Sequence, residues 1–266
     1  MRLEEDLKKV ILKLSSFFQE RDIHFVVVGA LVPAVLIDFK QGNTVRYGSR
    51  TTRDVDCVIL IKSWNEYNRI KQDMLEDGFE ERGGTPEHRL FFRETPVDII
   101  PCGGLIQDNT LYWPKSNHRM KMRGYSELFD NVELVKISDG KSVPFASLPM
   151  AVFLKIQAYL DRRDNGDLED IFYILMHYEE IEMSERRFDV VGQEELNYET
   201  AGAFLLGRDL RRSIPSDLIK EMDSFLELFN DPENPLILEI VRISYQKSED
   251  IISLVSAFQK GLGGDG

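Results

Sequence analysis

The sequence predicts an α+β protein, in which a mixed β-sheet flanked by helices is followed by a C-terminal helical bundle domain. Short runs of β-branched and other apolar residues, typical of buried strands, alternate with amphipathic helical patterns up to about residue 146. Only helical patterns follow, as far as residue 260. The 266 residues are 42% hydrophobic and 30% charged, which is ordinary for a folded globular chain.

We therefore predict a mixed domain over residues 1–146, a helical domain over 147–260 and a flexible, glycine-rich tail over 261–266. No apolar run is long enough to span a bilayer and the N-terminus has no signal-peptide pattern, so we expect a cytoplasmic protein. The two cysteines, Cys57 and Cys102, lie in or beside apolar strand patterns. Buried free thiols explain them better than a metal site, since neither has the spacing of a metal ligand.

The first domain begins with an amphipathic helix over residues 3–20, and the unbroken apolar run 24–28 predicts a strand buried on both faces. Gly29-Ala30 then leads into a helix over 31–39. A strand that turns through glycine into a helix N-terminus is a ready anion site, because free backbone N–H groups and the positive end of the dipole meet there. A tight turn that only needs the backbone freedom of glycine is the alternative.

A polar loop over residues 40–50 leads into the segment Arg50-Thr51-Thr52-Arg53-Asp54-Val55-Asp56 and an apolar strand that ends at Ile61. Side chains alternate along a strand, so Asp54 and Asp56 project from one face. Two such carboxylates repel each other unless a cation lies between them, and Mg²⁺ prefers oxygen ligands. The motif suggests a metal site, and an exposed, solvated Asp-x-Asp is the alternative.

The rest of the first domain is predicted to contain a helix, two strands and a hairpin that turns at Asp139-Gly140; these elements lie at 65–75, 89–93, 97–100 and 132–145. Before the hairpin, the irregular stretch 112–125 is basic, with Lys115, His118, Arg119, Lys121 and Arg123. The net charge of −13 argues against indiscriminate nucleic-acid binding. A local surface for phosphate groups and a merely solvated face remain equally open for this stretch.

A lone carboxylate, Asp98, is embedded in the apolar strand 97–100. An unpaired carboxylate is costly to bury. If this strand lies beside the Asp54/Asp56 strand, Asp98 faces the same edge, and three carboxylates are enough to hold two divalent ions. The alternative is that Asp98 forms a purely structural ion pair with Arg89 or Arg93.

These features fit one reaction. The Gly29 turn would cradle a triphosphate, Asp54 and Asp56 would bind the accompanying ion, and Asp98 would complete a second ion site or deprotonate an attacking hydroxyl. In-line attack on the α-phosphate, with pyrophosphate as the leaving group, is the chemistry that such a site supports.

This order of motifs resembles the nucleotidyltransferase fold of the DNA polymerase beta superfamily, and more closely the AbiEii-type nucleotidyltransferases, the toxin-like component of type IV toxin–antitoxin systems. The resemblance covers roughly residues 24–210. It rests on the following stretches: Arg50-x-Thr52-x-Asp54-Val55-Asp56, Val97-Asp98-Ile99, Lys155…Arg162-Arg163…Asp167-x-x-Asp170-Ile171 and Ala203-Phe204-Leu205-Leu206-Gly207-Arg208-Asp209. Gly29-Ala30 stands where the family has Gly-Ser or Gly-Gly, and the distance from Gly29 to Asp54 is longer than usual.

The resemblance implies a Mg²⁺-dependent (or Mn²⁺-dependent) transfer of a nucleoside monophosphate from an NTP to an acceptor such as tRNA or another macromolecule. It leaves room for a cognate antitoxin as partner. It implies these site residues: metal ligands Asp54, Asp56 and Asp98; nucleotide contacts Gly29, Ala30, Arg50, Arg53, Lys155 and Asp170; acceptor contacts Lys115, Arg119, Lys121 and Arg123.

Two alternatives to this function stay open. One is transfer to a small molecule such as an antibiotic, since an acidic protein attracts cationic substrates. The other is a non-catalytic nucleotidyltransferase fold that acts as a binding or regulatory protein. Retention of all three acids argues against the second alternative.

Overall fold

The structure is a computed structural model that describes residues 5–39, 52–138, 140–179, 185–192 and 196–263. These residues form two compact units. We call residues 5–32 and 52–147 the sheet unit, and residues 33–39 and 148–263 the helical unit. The predicted fold class is confirmed, because the sheet unit contains a mixed sheet flanked by helices and the described part of the other unit is helical. The predicted domain limits stay predictions.

The sheet unit contains two β-sheets and their flanking helices. Its elements are α1 (Glu5–Gln19), β1 (Phe25–Val28), the start of α2 (Leu31–Pro33), β2 (Val55–Ile61), α3 (Trp64–Glu76), β3 (Arg89–Phe92), β4 (Thr95–Gly103), β5 (Ile106–Gln107), β6 (Thr110–Tyr112), β7 (Arg119–Lys121), β8 (Val132–Ser138) and β9 (Lys141–Ala146).

The larger sheet has six strands in the order β3-β4-β2-β1-β9-β8. Strand β2 pairs parallel with β4 and antiparallel with β1, and β1 pairs parallel with β9. All four residues of β1 are buried, as expected for a central strand made of Phe25 and three valines. Helix α1 buries one apolar stripe that includes Ile11, Leu14 and Phe18, in agreement with its predicted amphipathic pattern.

The smaller sheet, β5-β6-β7, overlaps with the stretch 112–125 that was predicted to be irregular. Its strands are only two or three residues long, so they show little sequence periodicity. The β5–β6 hairpin turns through Asp108 and Asn109, whose φ angles are 48° and 55°. Two left-handed residues are typical of a type I′ turn, and Asp and Asn tolerate them well. The prediction of an irregular stretch was therefore wrong for β7 and the end of β6.

The described helical unit begins with a π-helical segment at Ala34–Phe39, where an α-helix over 31–39 was predicted; α2 itself covers only Leu31–Pro33. Its α-helices are α4 (Leu148–Arg162), α5 (Asn165–His177), α6 (Glu185–Val190), α7 (Tyr198–Ser213), α8 (Ser216–Lys220), α9 (Asp223–Leu226), α10 (Pro235–Ser244) and α11 (Ser248–Gly263).

Two predicted boundaries in the helical unit need correction. The turn-like composition of residues 164–167 predicts a break between two helices. Asp164 instead caps α5 by accepting a hydrogen bond from the Gly166 N–H at 2.7 Å, so the helix already begins at Asn165. Helix α11 extends to Gly263 and so includes three residues that were assigned to the tail.

Among the helices that the structure describes, none is long and apolar enough to cross a membrane. Both cysteines are free and buried, as predicted. Burial raises the pKa of Cys102 to about 11. It also raises the pKa of Cys57, with additional repulsion from Asp56 and Asp98. Both thiols are therefore protonated at neutral pH and are poor metal ligands.

Candidate active site at the sheet edge

One row of side chains crosses three neighbouring strands of the large sheet. Asp56 on β2 is the register partner of Asp98 on β4, and Asp98 is the register partner of Arg89 on β3. Directly paired residues of adjacent strands project from the same face, with Cβ atoms about 5 Å apart. The predicted proximity of the Asp98 strand to the Asp54/Asp56 strand is thus what the structure shows. We call Asp54, Asp56 and Asp98 the acid row.

Asp54 precedes β2 and is held by a neighbouring hydroxyl. The Thr52 Oγ1 donates a hydrogen bond to Asp54 Oδ1 at 2.7 Å, and Thr52 itself is buried. The Asp54 side chain stays 39% exposed. Thr52 therefore fixes one carboxylate oxygen of Asp54 and leaves the group accessible from solvent, as a ligand-binding carboxylate needs to be.

Gly29 makes room for the Asp56 carboxylate. Val28 is the register partner of Asp56, so the chain turns away immediately beside that carboxylate. The φ angle of Gly29 is +77°, and a Cβ atom on it would lie 2.0 Å from Asp56 Oδ2. Glycine is required here both for the backbone conformation and for the space. The adjoining Ala30 is buried. Their predicted contact with phosphate stays a prediction.

Arg89 binds Asp98 of the acid row through two hydrogen bonds. Its Nε donates to Asp98 Oδ1 and its Nη2 to Asp98 Oδ2, both at 2.7 Å, and Nη2 also lies 3.9 Å from Asp54 Oδ2. The hydrogen bonds that Arg89 donates to Asp98 raise the pKa of Arg89 above its ordinary value. The Asp98–Arg89 ion pair, one of the two sequence-based alternatives, is therefore present, and Asp98 is only 11% exposed.

His88 adjoins Asp98 and packs against Trp113, and sequence reasoning missed both His88 and Trp113. His88 Nε2 lies 3.7 Å from Asp98 Oδ2, and its ring centroid lies 5.1 Å from that of Trp113. Burial lowers the pKa of His88, which favours the neutral imidazole. The backbone N–H and hydroxyl of Ser116 both donate to Glu87, so the basic segment is anchored beside the beginning of β3. The one sequence signal was the placement of His88-Arg89 at the start of a strand.

The acid row suits a hard divalent ion by donor type, since its three side chains offer only carboxylate oxygens. The exposure of Asp54 fits such an ion at Asp54 and Asp56. Asp98 is less available to a metal ion, because Arg89 donates hydrogen bonds to both carboxylate oxygens of Asp98. Within the described residues, no group of three potential metal-ligating side chains is assembled. The predicted two-ion site is therefore not preformed.

Of the two arginines predicted to contact nucleotide, Arg53 is exposed just before β2, and Arg50 lies outside the described residues. Their predicted roles are consequently left as predictions.

Lys155 and Asp170 lie in the helical unit, inside a buried ion cluster. Lys155 Nζ is 2.6 Å from Asp170 Oδ2 and 3.3 Å from Asp167 Oδ1. Arg162 completes the cluster by donating to both oxygens of Asp167, at 2.7 and 2.6 Å. Lys155, Asp167 and Asp170 are all buried. We call these four residues the buried ion cluster, in which the Arg162 side chain alone is exposed, at 59%. The contacts favour a structural role for Lys155 and Asp170, and their predicted nucleotide contact stays a prediction.

The predicted acceptor residues lie on or around the small sheet. Arg119 and Lys121 alternate along β7 and are exposed, whereas Met120 between them is turned to the other side with its register partner Leu111, which is fully buried. Tyr112, the register partner of Arg119, is 46% exposed, and the guanidinium lies 5.4 Å from its ring centroid. Lys115 is also exposed and Arg123 is half-buried. One face of the small sheet thus combines cations with an aromatic ring.

No family model matches this chain, and no curated protein matches it. Some solved structures are similar. An antigenic nucleotidyltransferase-like protein from Paracoccidioides brasiliensis is 16% identical, with a TM-score of 0.42 over 65% of this chain and 76% of that chain. The antibiotic-resistance factor ANT(2'')-Ia is 11% identical, with a TM-score of 0.41 over 64% and 83%.

The Thermotoga maritima CCA-adding enzyme complexed with tRNA is 14% identical, with a TM-score of 0.28 over 98% of this chain and 82% of that chain. Because all these TM-scores are below 0.5, we infer nothing about the activity of this chain from them.

Proposed function

We propose that this chain is a Mg²⁺-dependent nucleotidyltransferase that transfers a nucleoside monophosphate from an NTP to an acceptor. The observation that carries the proposal is the acid row. Asp56 and Asp98 are register partners on parallel strands, Asp54 is two residues from Asp56, and the Asp56 carboxylate packs closely against Gly29. Three carboxylates on one face of the sheet repel one another unless cations lie among them, which supports a site for a divalent ion and its phosphate ligand.

In the proposed reaction, a hydroxyl oxygen of the acceptor forms a bond to the α-phosphorus of the NTP. The bond from that phosphorus to the oxygen that bridges to the β-phosphate breaks, and pyrophosphate leaves with the bonding electrons. The hydroxyl proton passes to a carboxylate of the acid row or to solvent. A bound divalent ion supplies charge neutralisation for the triphosphate and for the charge that develops in the transition state.

The chain's own residues orient this site. Thr52 holds one oxygen of Asp54, and Gly29 keeps the backbone clear of Asp56. Fixed carboxylates lose little entropy when they bind a ligand, which is the advantage of a preorganised site. We assign the metal to Asp54 and Asp56, and Asp98 joins them only when Arg89 releases it.

We propose a tRNA end or another nucleic acid as the acceptor. The exposed face of the small sheet supports this choice, because Tyr112 with Arg119 offers a ring for base stacking, and Arg119 and Lys121 offer charge for phosphates. The segment 105–125 has four Lys or Arg residues and one acidic residue, whereas the whole chain has a net charge of −13. This local excess of positive charge would repel a cationic antibiotic.

We also propose that the chain is an AbiEii-type protein and has a cognate antitoxin as partner. This part of the proposal rests on the motif residues alone, above all on Asp54-Val55-Asp56 and on Lys155 with Asp170.

The test is a transfer assay. The purified protein is incubated with each labelled NTP, Mg²⁺ and one of three acceptor sets: total tRNA, a protein lysate or an aminoglycoside panel. We expect label on tRNA with stoichiometric pyrophosphate release, and a loss of at least about 100-fold for Asp56→Ala. Glu66→Ala, an acidic residue on α3 of the same unit, is the control and keeps activity.

Label on an aminoglycoside would contradict the nucleic-acid acceptor and support a small molecule as the acceptor. No transfer and no pyrophosphate release under any condition would contradict the proposed activity and favour a binding protein.

A further inference from the structure

Arg89 is a cation that the chain itself supplies to the acid row. Its guanidinium lies against both oxygens of Asp98 at 2.7 Å and within 3.9 Å of Asp54. One side chain thus links two of the three carboxylates. The pairing of β3 with β4 positions this contact, because Arg89 and Asp98 are register partners on these antiparallel strands. The Ile99 N–H donates to the His88 carbonyl at 2.9 Å and continues this ladder.

A guanidinium and a divalent ion compete for the same carboxylate oxygens. Arginine binds a carboxylate through two parallel N–H···O bonds, and a hard divalent ion needs lone pairs of those oxygens. Asp98 is 11% exposed and Arg89 is 30% exposed, so water screens this pair less than an ordinary surface pair. Occupation of both oxygens by Arg89 therefore opposes the use of Asp98 by any other cation.

Asp54 is in a different position. Its Oδ1 accepts a hydrogen bond from Thr52, and its Oδ2 lies at 3.9 Å from Arg89, beyond hydrogen-bonding distance. The guanidinium is thus committed to Asp98 and only electrostatically attracted to Asp54. Within the acid row, Asp98 is thus held by the protein's own cation, whereas Asp54 and Asp56 lie at the beginning of β2.

We propose that Arg89 is a built-in counter-cation of the acid row, which keeps Asp98 from divalent ions in the free protein and so weakens their binding. Release of Asp98 by Arg89 is then the step that completes the three-carboxylate site. This inference rests on the metal site of the proposed function, but not on the identity of the acceptor.

The test measures metal binding without nucleotide. The full chain is titrated with MgCl₂, and separately with MnCl₂, by isothermal titration calorimetry. We expect Arg89→Gln to bind each ion roughly five- to tenfold more tightly than the wild type, because the competing charge is gone. Arg69→Gln removes the same charge from an exposed position on α3 of the same unit, and we expect it to bind like the wild type.

A double-mutant cycle links the effect to Asp98. In the Asp98→Asn background, the additional change Arg89→Gln gives a much smaller gain in affinity, because only the attraction of Arg89 to Asp54 is then removed. Thermal melting gives a second readout. Without divalent ions, we expect Arg89→Gln to have a lower melting temperature than the wild type, because the acid row lacks its counter-cation. Mg²⁺ should restore most of this loss in melting temperature. A purely structural role of Arg89 predicts a loss that Mg²⁺ does not restore.

The inference is overturned if Arg89→Gln binds Mg²⁺ no more tightly than the wild type, or if its full gain persists in Asp98→Asn. Should Arg89→Gln fail to fold, Arg89→Lys keeps the charge but not the two-pronged contact, and we expect a gain of about two- to threefold. A folded Arg89→Lys without gain overturns the inference as well. Wild-type binding that does not depend on Asp56 would instead contradict the metal site of the proposed function.

Discussion

The acid row of the sheet unit and the buried ion cluster of the helical unit are made of the same chemical groups, yet their carboxylates differ in exposure. In the acid row, Arg89 pairs with Asp98, and the Asp54 side chain is 39% exposed. In the buried ion cluster, Lys155 contacts Asp167 and Asp170, Arg162 contacts Asp167, and the Asp167 side chain is fully enclosed. Buried carboxylates need the contacts of neighbouring cations, whereas a carboxylate that solvent can reach is available to a ligand. Exposure, more than the presence of acidic residues, distinguishes the candidate site from the buried ion cluster.

The largest effect is expected in the buried ion cluster. Lys155→Met leaves two buried carboxylates with Arg162 as their cation, so we expect the free energy of unfolding to fall by about 3–5 kcal/mol. Urea denaturation of the purified variant measures this loss. Lys155→Met combined with Asp170→Leu removes a cation and an anion together, and should recover much of the stability.

A loss below about 1 kcal/mol for Lys155→Met, together with weakened NTP binding, would contradict the structural assignment and restore the predicted nucleotide contact. The comparison between the two clusters would then fail, since both would serve ligands.

Gly29→Ala tests the close approach behind the acid row. The new Cβ would meet Asp56 Oδ2 at 2.0 Å at a φ of +77°, so the carboxylate or the backbone must move. We expect a stability loss of roughly 2–3 kcal/mol, from left-handed strain plus the steric conflict. Gly78→Ala is the matched control, because its φ is +92° and nothing lies within 4 Å of the new Cβ.

Gly78→Ala should therefore show only the backbone strain, of about 1–2 kcal/mol. Equal losses for the two glycine variants, measured by urea denaturation, would mean that Asp56 is not held against Gly29.

The smallest effect concerns an ion pair outside both clusters. A hydrogen bond from Lys71, at 2.5 Å, lowers the pKa of Glu81 below its ordinary value. The folded pKa is lower than the unfolded one, so the stabilisation is present above the unfolded pKa of about 4.5 and is lost as pH falls below it.

Glu81→Gln should slightly reduce the slope of the free energy of unfolding against pH between about pH 5 and 3. Near pH 7 the slope should be the same as in the wild type. Because Glu81 is 51% exposed, we expect only a small change. An unchanged acid limb in thermal melts across this range would show that the pair contributes nothing.

Much of the sheet unit followed from local sequence patterns. Alternation along β2 placed Asp54 and Asp56 on one face, and the apolar runs located β1, β2 and β4, because buried strands need such runs. Gly29 stood out because a turn after a buried strand needs its backbone conformation.

The contact between Arg89 and Asp98 depended on strand register, which sequence reasoning did not determine. Both Arg89 and Arg93 were open as partners of Asp98. The structure places Arg93 in the turn, with a φ of 55°, and pairs Phe92 with Thr95, which puts Arg89 opposite Asp98. A turn assigned to residues 93–94 would have given the correct partner by simple counting along the two strands.

The buried ion cluster was missed for a similar local reason. Asn165-Gly166-Asp167 has the composition of a turn, so Asp167 was predicted to lie outside any helix. The Asp164 cap starts α5 earlier and brings Asp167 to Lys155, three residues before Asp170. Helix capping here outweighs low helix propensity, which composition alone does not show.

The most direct test of the acid row is the response of thermal stability to Mg²⁺. If Asp54 and Asp56 hold a divalent ion, Mg²⁺ binds the folded state only and must raise the melting temperature of the wild type. The Asp54→Ala/Asp56→Ala variant should fold and show almost no shift, and Lys155→Met combined with Asp170→Leu should keep the wild-type shift. Equal shifts for the wild type and the Asp54→Ala/Asp56→Ala variant would contradict the assignment of the metal to the acid row.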